Sequence, residues 1–504
     1  MILSYFKLFI LFLLLKAAII ISIILNGSIG LGPDEAQYWT WSRSLDWGYY
    51  SKPPGIAWQI WLGTQAIGQT ELGVRILSVI ISLFQALTVY FLALKSGLKT
   101  SAAFWSGILM AFCPIGIFGS LLAITDNGLL LFWTLSCLAL CSALNEKRDP
   151  NPFIIGSLIL AGALFKWPIY LFWIFYFLFR WKYFSHQNFS KALSGVLISL
   201  IGLLPSIWWN WHHDWATFRH VSSTIHAGSG IPSNSNTFEF IGSQIILVSP
   251  IIFVILILSF VTWFKQRRTL SPPIIFCGII SLSCLGFGIV ASFFQKIQGN
   301  WVVFAYPTCF ILISWYACEI EFRKTQTWLK AGIVLSIGLI TSIFLLSISN
   351  LIPQKMNPLK HNLGWSNLSE ILTENGYDPL KNYLITDRYQ TTSILSFYGP
   401  EQKRAYFLNL HGVRNNQFSY WPQLQNEQKG KTGYFIWVEN APHLQRELNI
   451  KSNFYQGELE NYFEKVSFIG IEPLIFNGDA IAKGALIFKC ENCLNKQPNQ
   501  SDKY

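Results

Sequence analysis

Long apolar runs dominate the chain up to about residue 350. Nine of these runs approach the roughly 20 residues that an α-helix needs to cross a bilayer. They lie at about 6–25, 72–94, 102–122, 127–145, 192–211, 239–264, 273–294, 300–318 and 329–349. A further stretch, 152–180, is broken by Lys166-Trp167-Pro168 and predicts two short spans joined by a turn. The pattern therefore predicts a polytopic α-helical membrane protein with about eleven transmembrane helices.

The pattern changes in the last third of the chain, where long apolar runs stop. Short stretches of strand-forming residues alternate there with polar connectors, which is typical of a small α/β domain. These stretches are Asn382–Thr386, Arg404–Leu410, Gly433–Val438 and Ala480–Phe488. We therefore expect a transmembrane catalytic domain over residues 1–352 and a water-exposed domain over residues 353–504.

Composition supports lipid as the main solvent of the chain. Hydrophobic residues make up 52% of it and charged residues only 12%, against roughly a quarter charged in an ordinary soluble domain. The formal charge of +11 needs no nucleic-acid partner, because basic loops beside membrane spans account for much of it and anionic lipid phosphates can meet the rest.

The distribution of Lys and Arg predicts the orientation in the membrane, because basic short loops stay on the cytoplasmic side. Every second loop is basic: Lys95 and Lys99; Lys147 and Arg148; Arg180, Lys182 and Lys191; Lys265, Arg267 and Arg268; Arg323, Lys324 and Lys330. We expect the N-terminus on that same side, with the first apolar run retained as a span. An odd number of spans then places the C-terminal domain outside, in the periplasm of a Gram-negative cell. The predicted location is the bacterial inner membrane.

Cysteine usage adds little to this picture. Seven of the nine cysteines fall inside apolar runs or at their ends, where they act as small hydrophobic residues. Cys490 and Cys493 form a lone Cys-x-x-Cys in the polar tail, compatible with a disulfide or with half a metal site. We expect a structural disulfide.

Polar chemistry is concentrated in the loops opposite the basic ones. The carboxylates are Asp34, Glu35 and Asp126, and the cations are Lys52, Arg75, Lys166 and Lys296. A carboxylate can take the proton of an attacking hydroxyl group, while cations stabilise a departing phosphate. Asp34 follows Pro33 at a predicted helix start, where the helix dipole favours the charged form and should keep its pKa low enough for ionisation at neutral pH.

Structural roles compete with each of these catalytic ones. Asp34 and Glu35 could cap a helix that lies in the membrane interface, and Asp126 could cap the span that follows it. Lys52 and Arg75 could be anchors that reach the headgroup layer. His212-His213-Asp214 is more typical of solvated loop side chains than of a metal site. Lys16, deep in the first run, is either functional or reaches the interface from a tilted helix.

Several blocks of sequence occur in a specific order. They are Asp34-Glu35-Ala36-Gln37-Tyr38-Trp39, Tyr49-Tyr50-Ser51-Lys52-Pro53-Pro54-Gly55, Gly73-Val74-Arg75, Asp126 before Leu129-Leu130-Leu131-Phe132-Trp133, Lys166, Gln298-Gly299-Asn300-Trp301 through Ala305-Tyr306-Pro307, and the tail stretches Thr386-Asp387-Arg388-Tyr389-Gln390 and Arg414-Asn415-Asn416-Gln417. This order resembles the C-type glycosyltransferases, most closely the branch with bacterial aminoarabinose lipid A transferases and relatives of dolichyl-phosphate-mannose protein mannosyltransferases. The resemblance is tight over residues 30–80 and looser elsewhere.

The resemblance implies an inverting transfer of a monosaccharide from a polyprenyl-phosphate donor to a lipid A, lipopolysaccharide-type or other cell-envelope acceptor at the outer membrane face. It implies Asp34 and Asp126 at the catalytic centre, with Glu35 beside them, and Lys52 and Arg75 near the lipid phosphate. Lys166 and Lys296 join the phosphate candidates, and the acceptor candidates are Tyr38, His213, Arg388 and Arg414. Some members use a divalent metal, so a metal cofactor stays open. We expect a monomer whose other partners are membrane lipids.

Two rival functions are weighed against this one. A transporter or flippase of lipid-linked sugars should carry ionisable groups or broken helices near the membrane midplane, whereas here almost all ionisable groups apart from Lys16 lie at one face. A glycan-binding receptor gives no reason for carboxylates and cations to gather in separate membrane-edge loops.

Overall fold

A computed structural model describes residues 2–184, 189–226, 236–321, 324–349, 351–440, 444–478, 480–496 and 498. The part before residue 350 is helical. Its α-helices are α1 Ile2–Leu25, α2 Pro33–Ser42, α3 Gly55–Ile67, α4 Glu71–Lys95, α5 Thr100–Phe112, α6 Pro114–Leu121, α7 Thr125–Glu146, α8 Pro152–Ala163, α9 Phe172–Tyr183, α10 Phe189–Leu200, α11 Leu204–Trp211, α12 Ala216–His226, α13 Thr237–Val248, α14 Pro250–Gln266, α15 Pro272–Ser292, α16 Tyr306–Trp315 and α17 Lys324–Ile348.

Among the described residues, seven helical segments are long and apolar enough to cross a membrane, and two bent helix pairs raise the number to nine. The bent pairs are α5 with α6, at 54°, and α13 with α14, at 102°. Each bend falls at a proline, which cannot donate a helix hydrogen bond. All nine correspond to the uninterrupted apolar runs of the sequence. The total of eleven stays a prediction, because α8 and α9 have only 12 residues each.

Small residues let some helices approach closely. A Cβ atom on Gly156 of α8 would lie 2.2 Å from the carbonyl oxygen of Gly195 in α10, so the two backbones are in direct contact, as is common between transmembrane helices. Lys16 of α1 is buried and donates a hydrogen bond of 3.0 Å to the carbonyl oxygen of Gly116, just after the bend between α5 and α6. Lys16 therefore joins α1 to the first turn of α6, next to the bend.

The basic loops meet at one face of the bundle. Lys95 and Arg148 both pair with Glu146, at 2.7 and 2.6 Å, and the backbone N–H of Lys99 donates to Glu319 at 2.9 Å. Arg323 lies outside the described residues. The side of the membrane to which this face belongs stays a prediction.

The C-terminal part forms a small α/β domain, as predicted. Its strands are β1 Tyr383–Thr386, β2 Tyr406–Phe407, β3 Gly433–Asn440, β4 Phe463–Asn477 and β5 Ala480–Cys493, and its helices are α18 Leu368–Glu374, α19 Tyr389–Tyr398, α20 Leu424–Glu427 and α21 Leu444–Leu459. The sheet order is β2-β1-β3-β5-β4. Strand β1 runs parallel to β2 and β3, whereas β5 is antiparallel to β3 and β4.

The predicted disulfide between Cys490 and Cys493 is wrong. Both cysteines are free thiols buried in β5.

The C-terminal domain packs directly on α2. The ring of Phe397 in α19 meets Trp39 edge to face, with centroids 4.9 Å apart. The hydroxyl of Tyr398 accepts a hydrogen bond of 2.6 Å from the backbone N–H of Leu31, and the side chain of Asn362 donates to the carbonyl oxygen of Gly30 at 3.0 Å. The loop before α2 is therefore held between the membrane helices and the sheet domain.

Candidate active site

Glu35 and Arg75 form a buried ion pair near the face of the bundle opposite the basic loops. Their carboxylate and guanidinium groups make two parallel contacts, of 2.8 and 2.7 Å, and both side chains are almost fully buried. Arg75 also donates to the carbonyl oxygens of Ile29 and Gly30, each at 2.8 Å. The prediction that Arg75 binds the lipid phosphate is therefore wrong, because its guanidinium is enclosed and already occupied.

Glu35 holds three parts of the chain together. Besides Arg75, it accepts hydrogen bonds from the backbone N–H groups of Gly32, at 3.1 Å, and Ala123, at 2.9 Å. Its two oxygens are thus surrounded by donors from the loop before α2, from α4 and from the segment before α7. The proposed catalytic role of Glu35 is corrected to a structural one. The helix-capping role that competed for both acids belongs to Glu35.

Asp34 faces the opposite way, and its carboxyl group opens into a cavity whose protein walls shield it from bulk water. This cavity of about 540 Å³ lies between α2 and the sheet domain, and we call it the interface cavity. Its lining includes Asp34, Trp365, Arg388, Tyr389, Glu439 and Lys483. Burial raises the pKa of the Asp34 carboxyl above its ordinary value; Lys52 opposes the rise, Glu35 adds to it and Arg414 opposes it. The pKa therefore shifts in the direction opposite to the one that a helix dipole favours, because burial outweighs the nearby positive charge. Ionisation of Asp34 at neutral pH stays a prediction.

Asp126 is engaged by two partners from other loops. Lys166 donates to one carboxylate oxygen at 2.6 Å, and the side chain of Asn300 donates to the other at 3.2 Å. Asp126 does not cap α7, whose cap position is Ile124. It therefore joins the segment after α8 to the loop before α16. Lys166 is partly exposed beside it.

Lys52 lies at the tip of a tight turn that several elements hold in place. The backbones of Tyr49 and Lys52 bond to each other across the turn, at 3.1 and 3.4 Å. The N–H of Tyr50 donates to Gln417 of the sheet domain at 2.7 Å. The N–H of Gly55 donates to the carbonyl oxygen of Leu164 at 2.7 Å, so the turn rests against the segment that carries Lys166.

Four of the predicted charged residues lie close enough to Lys52 to influence its pKa. Burial lowers the pKa of the Lys52 amine, and the positive charge of Lys166 lowers it further. Asp126 and Asp34 oppose this shift, and Arg414 adds to it. We call Lys52, Lys166 and Arg414 the cation cluster. Asp34 therefore borders both the interface cavity and this cluster.

The four acceptor candidates occupy different positions. Tyr38 is buried, and burial followed by the charges of Asp34 and Asp126 raises the pKa of its hydroxyl. Arg388 lines the interface cavity and lies 3.7 Å from Glu439. His213 is stacked on Trp209 with ring centroids 4.0 Å apart, which favours a packing role. Arg414 belongs to the cation cluster.

Lys296, the remaining phosphate candidate, is exposed on the loop before Asn300. Within the described ranges no ion pair includes it. The structure therefore brings together Asp34, Asp126, Lys52, Lys166 and Arg414, and leaves Lys296 outside their contacts.

Sequence reasoning missed Asn300 and His220. Asn300 stands inside the Gln298-Gly299-Asn300-Trp301 block, so the motif was visible although the contact with Asp126 was not. His220 of α12 packs against Tyr50 with centroids 5.0 Å apart. Burial and the charges of Arg414 and Lys52 lower the pKa of its imidazole to about 4, so it is neutral at neutral pH.

Comparison with known proteins agrees with the observed fold. The sequence profile of the family described as dolichyl-phosphate-mannose-protein mannosyltransferase matches residues 51–209. The crystal structure of ArnT from Cupriavidus metallidurans in the apo state covers 94% of this chain and 97% of its own, with a TM-score of 0.62 at 12% identity. The chain therefore shares the fold of this ArnT over almost its whole length.

The chain is also similar to a second solved structure and to one curated protein. A second structure of the same ArnT, bound to undecaprenyl phosphate, has a TM-score of 0.62 at 11% identity, with 96% of this chain and 98% of that chain covered. At these identities the structures establish the fold. Lipid A galacturonosyltransferase RgtD from Rhizobium johnstonii is 27% identical over 300 residues, so the match spans 56% of this chain and 59% of RgtD.

The side chains of this candidate site do not fit a divalent metal ion. Asp126 is bound by Lys166 and Asn300, and Glu35 is bound by Arg75. Over the residues that the structure describes, no three Asp, Glu, His or Cys side chains gather as a metal site would require. Positive charge near Asp34 and Asp126 comes from lysine and arginine.

Proposed function

We propose that this protein is a C-type glycosyltransferase that moves a monosaccharide, with inversion, from a polyprenyl-phosphate donor to a hydroxyl group of lipid A or a related cell-envelope acceptor. One observation carries the proposal. Asp34, a carboxylate with a raised pKa, borders both a cavity large enough for a sugar and a cluster of cations suited to a phosphate. The curated relative is a lipid A galacturonosyltransferase, and the ArnT structure with undecaprenyl phosphate supports the donor class.

Asp34 acts as the general base. The acceptor oxygen attacks the anomeric carbon of the donor, and the bond from that carbon to the phosphate oxygen breaks. The acceptor proton goes to Asp34, and the electron pair leaves with the polyprenyl phosphate. A raised pKa strengthens Asp34 as a base, provided that it is ionised when the acceptor binds.

The cation cluster stabilises the leaving phosphate. Lys52 and Lys166 approach it from different loops, and Arg414 approaches from the sheet domain. A unit charge pair at about 4 Å near a protein surface is worth on the order of 4 kcal/mol. Two such contacts that strengthen as the phosphate gains charge supply several powers of ten in rate.

Asp126 orients Lys166 in this mechanism. Both of its oxygens are engaged by Lys166 and Asn300, so it is less suited than Asp34 to take a proton. We assign it the role of a positioning residue that also balances the charge of the cluster when the phosphate has left.

One chain supplies the complete site, which is consistent with a monomer in the inner membrane. The rival transporter function finds no support in Lys16, because this residue is bonded to a backbone carbonyl at a helix bend. We propose that the N-terminus is cytoplasmic and that the sheet domain and the interface cavity face the periplasm.

The test is a transfer assay with the full chain in nanodiscs. Polyprenyl-phosphate donors that carry different sugars, galacturonic acid and aminoarabinose included, are incubated with lipid A. We expect one donor to yield a glycosylated lipid and free polyprenyl phosphate in equal amounts, with inverted anomeric configuration by NMR. Net movement of intact donor across the bilayer without glycosylation would contradict the proposal and favour a transporter.

A further inference from the structure

A second concave site lies at the membrane face opposite the acids. It is a groove of about 480 Å³ between α4, α7 and α8. Helix α7 begins beside Asp126 and ends at Glu146, so its far end marks the face that holds the basic loops. The apolar body of the groove includes Phe91, Leu135, Ala139 and Ile154, and its mouth includes Lys95 and Arg148.

The body of the groove is apolar and open to lipid. The side chains of Phe91 and Ile154, on opposite walls, are 43% and 53% exposed. From Ser142 at the mouth to Leu135 at the inner end, α7 rises by about 10 Å, compared with about 15 Å for half of the hydrocarbon core. The groove therefore matches most of the length of an acyl chain in one leaflet.

The mouth of the groove is cationic. Glu146 holds Lys95 at 2.7 Å and Arg148 at 2.6 Å, so the three side chains carry one net positive charge. The two cations stay about half exposed, at 48% and 54%. Lys147 follows Glu146 directly and is exposed as well. An anionic group at the mouth would meet donors that Glu146 has already oriented.

We propose that this groove binds an anionic phospholipid, with one acyl chain between α4, α7 and α8 and its phosphate against Lys95 and Arg148. Basic residues near a membrane surface favour anionic lipids. A zwitterionic headgroup is less suitable, because its ammonium group would approach the same two cations. The site goes beyond the proposed function, since it lies across the membrane from Asp34 and uses none of the transfer residues.

The experiment measures lipid retention by the full-length protein. The chain is reconstituted in nanodiscs of phosphatidylcholine or of mixed phosphatidylcholine and phosphatidylglycerol, released into mild detergent and analysed by native mass spectrometry. We expect one retained phosphatidylglycerol, preferred over phosphatidylcholine. The Lys95→Gln/Arg148→Gln double variant should lose roughly tenfold of that preference.

Two further variants make the outcome decisive. Lys265→Gln/Arg268→Gln removes the same charge from another exposed loop at this face and should retain the lipid as the wild type does. Ala139→Trp fills the groove without changing its charge and should abolish lipid retention. Equal retention of phosphatidylglycerol and phosphatidylcholine by the wild type would overturn the site. The same would follow if Lys265→Gln/Arg268→Gln lost as much of the preference for phosphatidylglycerol as Lys95→Gln/Arg148→Gln.

Discussion

Asp34 and Glu35 are adjacent acids with different surroundings. Glu35 is enclosed by Arg75 and two backbone N–H groups, whereas Asp34 opens into the interface cavity. Successive residues of an α-helix point about 100° apart, so neighbours in sequence can face the core and the solvent. We therefore expect their substitution to have separate effects, on stability and on turnover.

Glu35→Gln should mainly destabilise the protein. It leaves Arg75 buried without its counter-ion, and breaking a buried ion pair costs about 3–5 kcal/mol. Thermal unfolding in detergent should show a clear fall in melting temperature. Glu146→Gln is the matched control, because Glu146 pairs at the surface, where such pairs are worth at most about 1 kcal/mol. Similar small shifts in both variants would contradict the structural role of Glu35.

The pH dependence of transfer should report Asp34. Because burial raises its pKa, the protonated, inactive form gains population as pH falls, and activity is lost as pH falls through that raised pKa. Arg414 opposes the rise, so Arg414→Gln should move the acidic limb of kcat/KM to higher pH. The comparison is the pH profile of the wild type with that of Arg414→Gln. An unchanged or lowered acidic limb would mean that Asp34 is not the titrating base.

The sequence predicted which charged residues lie together, but it did not predict which of them form ion pairs. Asp34, Lys52 and Lys166 were identified from motif order and from their loops. The pairing of Arg75 with Glu35 was not identified, because the two residues lie 40 positions apart and spacing does not reveal which side of α4 faces the core. The raised pKa of Asp34 was missed for the same reason, since burial depends on the packing of the sheet domain.

At the scale of elements, the turn of Lys52 depends on close contact with the end of α8. A Cβ atom on Gly55 would lie 2.6 Å from the carbonyl oxygen of Leu164, so alanine would push the turn away from Lys166. We expect Gly55→Ala to lower transfer by about tenfold or more, since small displacements at a catalytic site are costly. Gly242→Ala, in open space on α13, should stay active. Equal activity of the two variants would show that the contact does not position Lys52.

The elements predicted from the sequence were those with a clear pattern. The nine apolar runs all appear as helices or bent helix pairs, and β1, β3 and β5 lie where strand-forming stretches were found. The long strand β4 was missed because Gly470 and Pro473 interrupt its alternation, and its pairing with β5 is irregular near both residues. Tertiary pairing with β5 overrides this weak local signal.

At the scale of the whole molecule, the site depends on the sheet domain and the membrane helices meeting on one side. Lys52 comes from the first outer loop, Lys166 from the segment after α8 and Arg414 from the sheet domain. The fold therefore requires that these loops share one side of the membrane. Alternation of basic loops predicted this arrangement without any knowledge of the packing.

The orientation can be tested with a membrane-impermeant thiol reagent on intact spheroplasts. Lys429→Cys, exposed in the sheet domain, should be labelled, whereas Arg268→Cys, exposed at the opposite face, should be labelled only after the membrane is opened. The native cysteines are buried and give a low background. The reverse labelling pattern would place the site in the cytoplasm and overturn the proposed location.

The central claim is that Asp34 is the base of a sugar transfer, and the most direct measurement is the turnover of Asp34→Asn in nanodiscs with the preferred donor. Amide replacement removes the proton acceptor and keeps the shape, so we expect a loss of about a hundredfold or more with an unchanged melting temperature. Asp46→Asn, in the same outer loop, should remain near wild-type turnover. A folded Asp34→Asn enzyme with near-normal turnover would contradict the account.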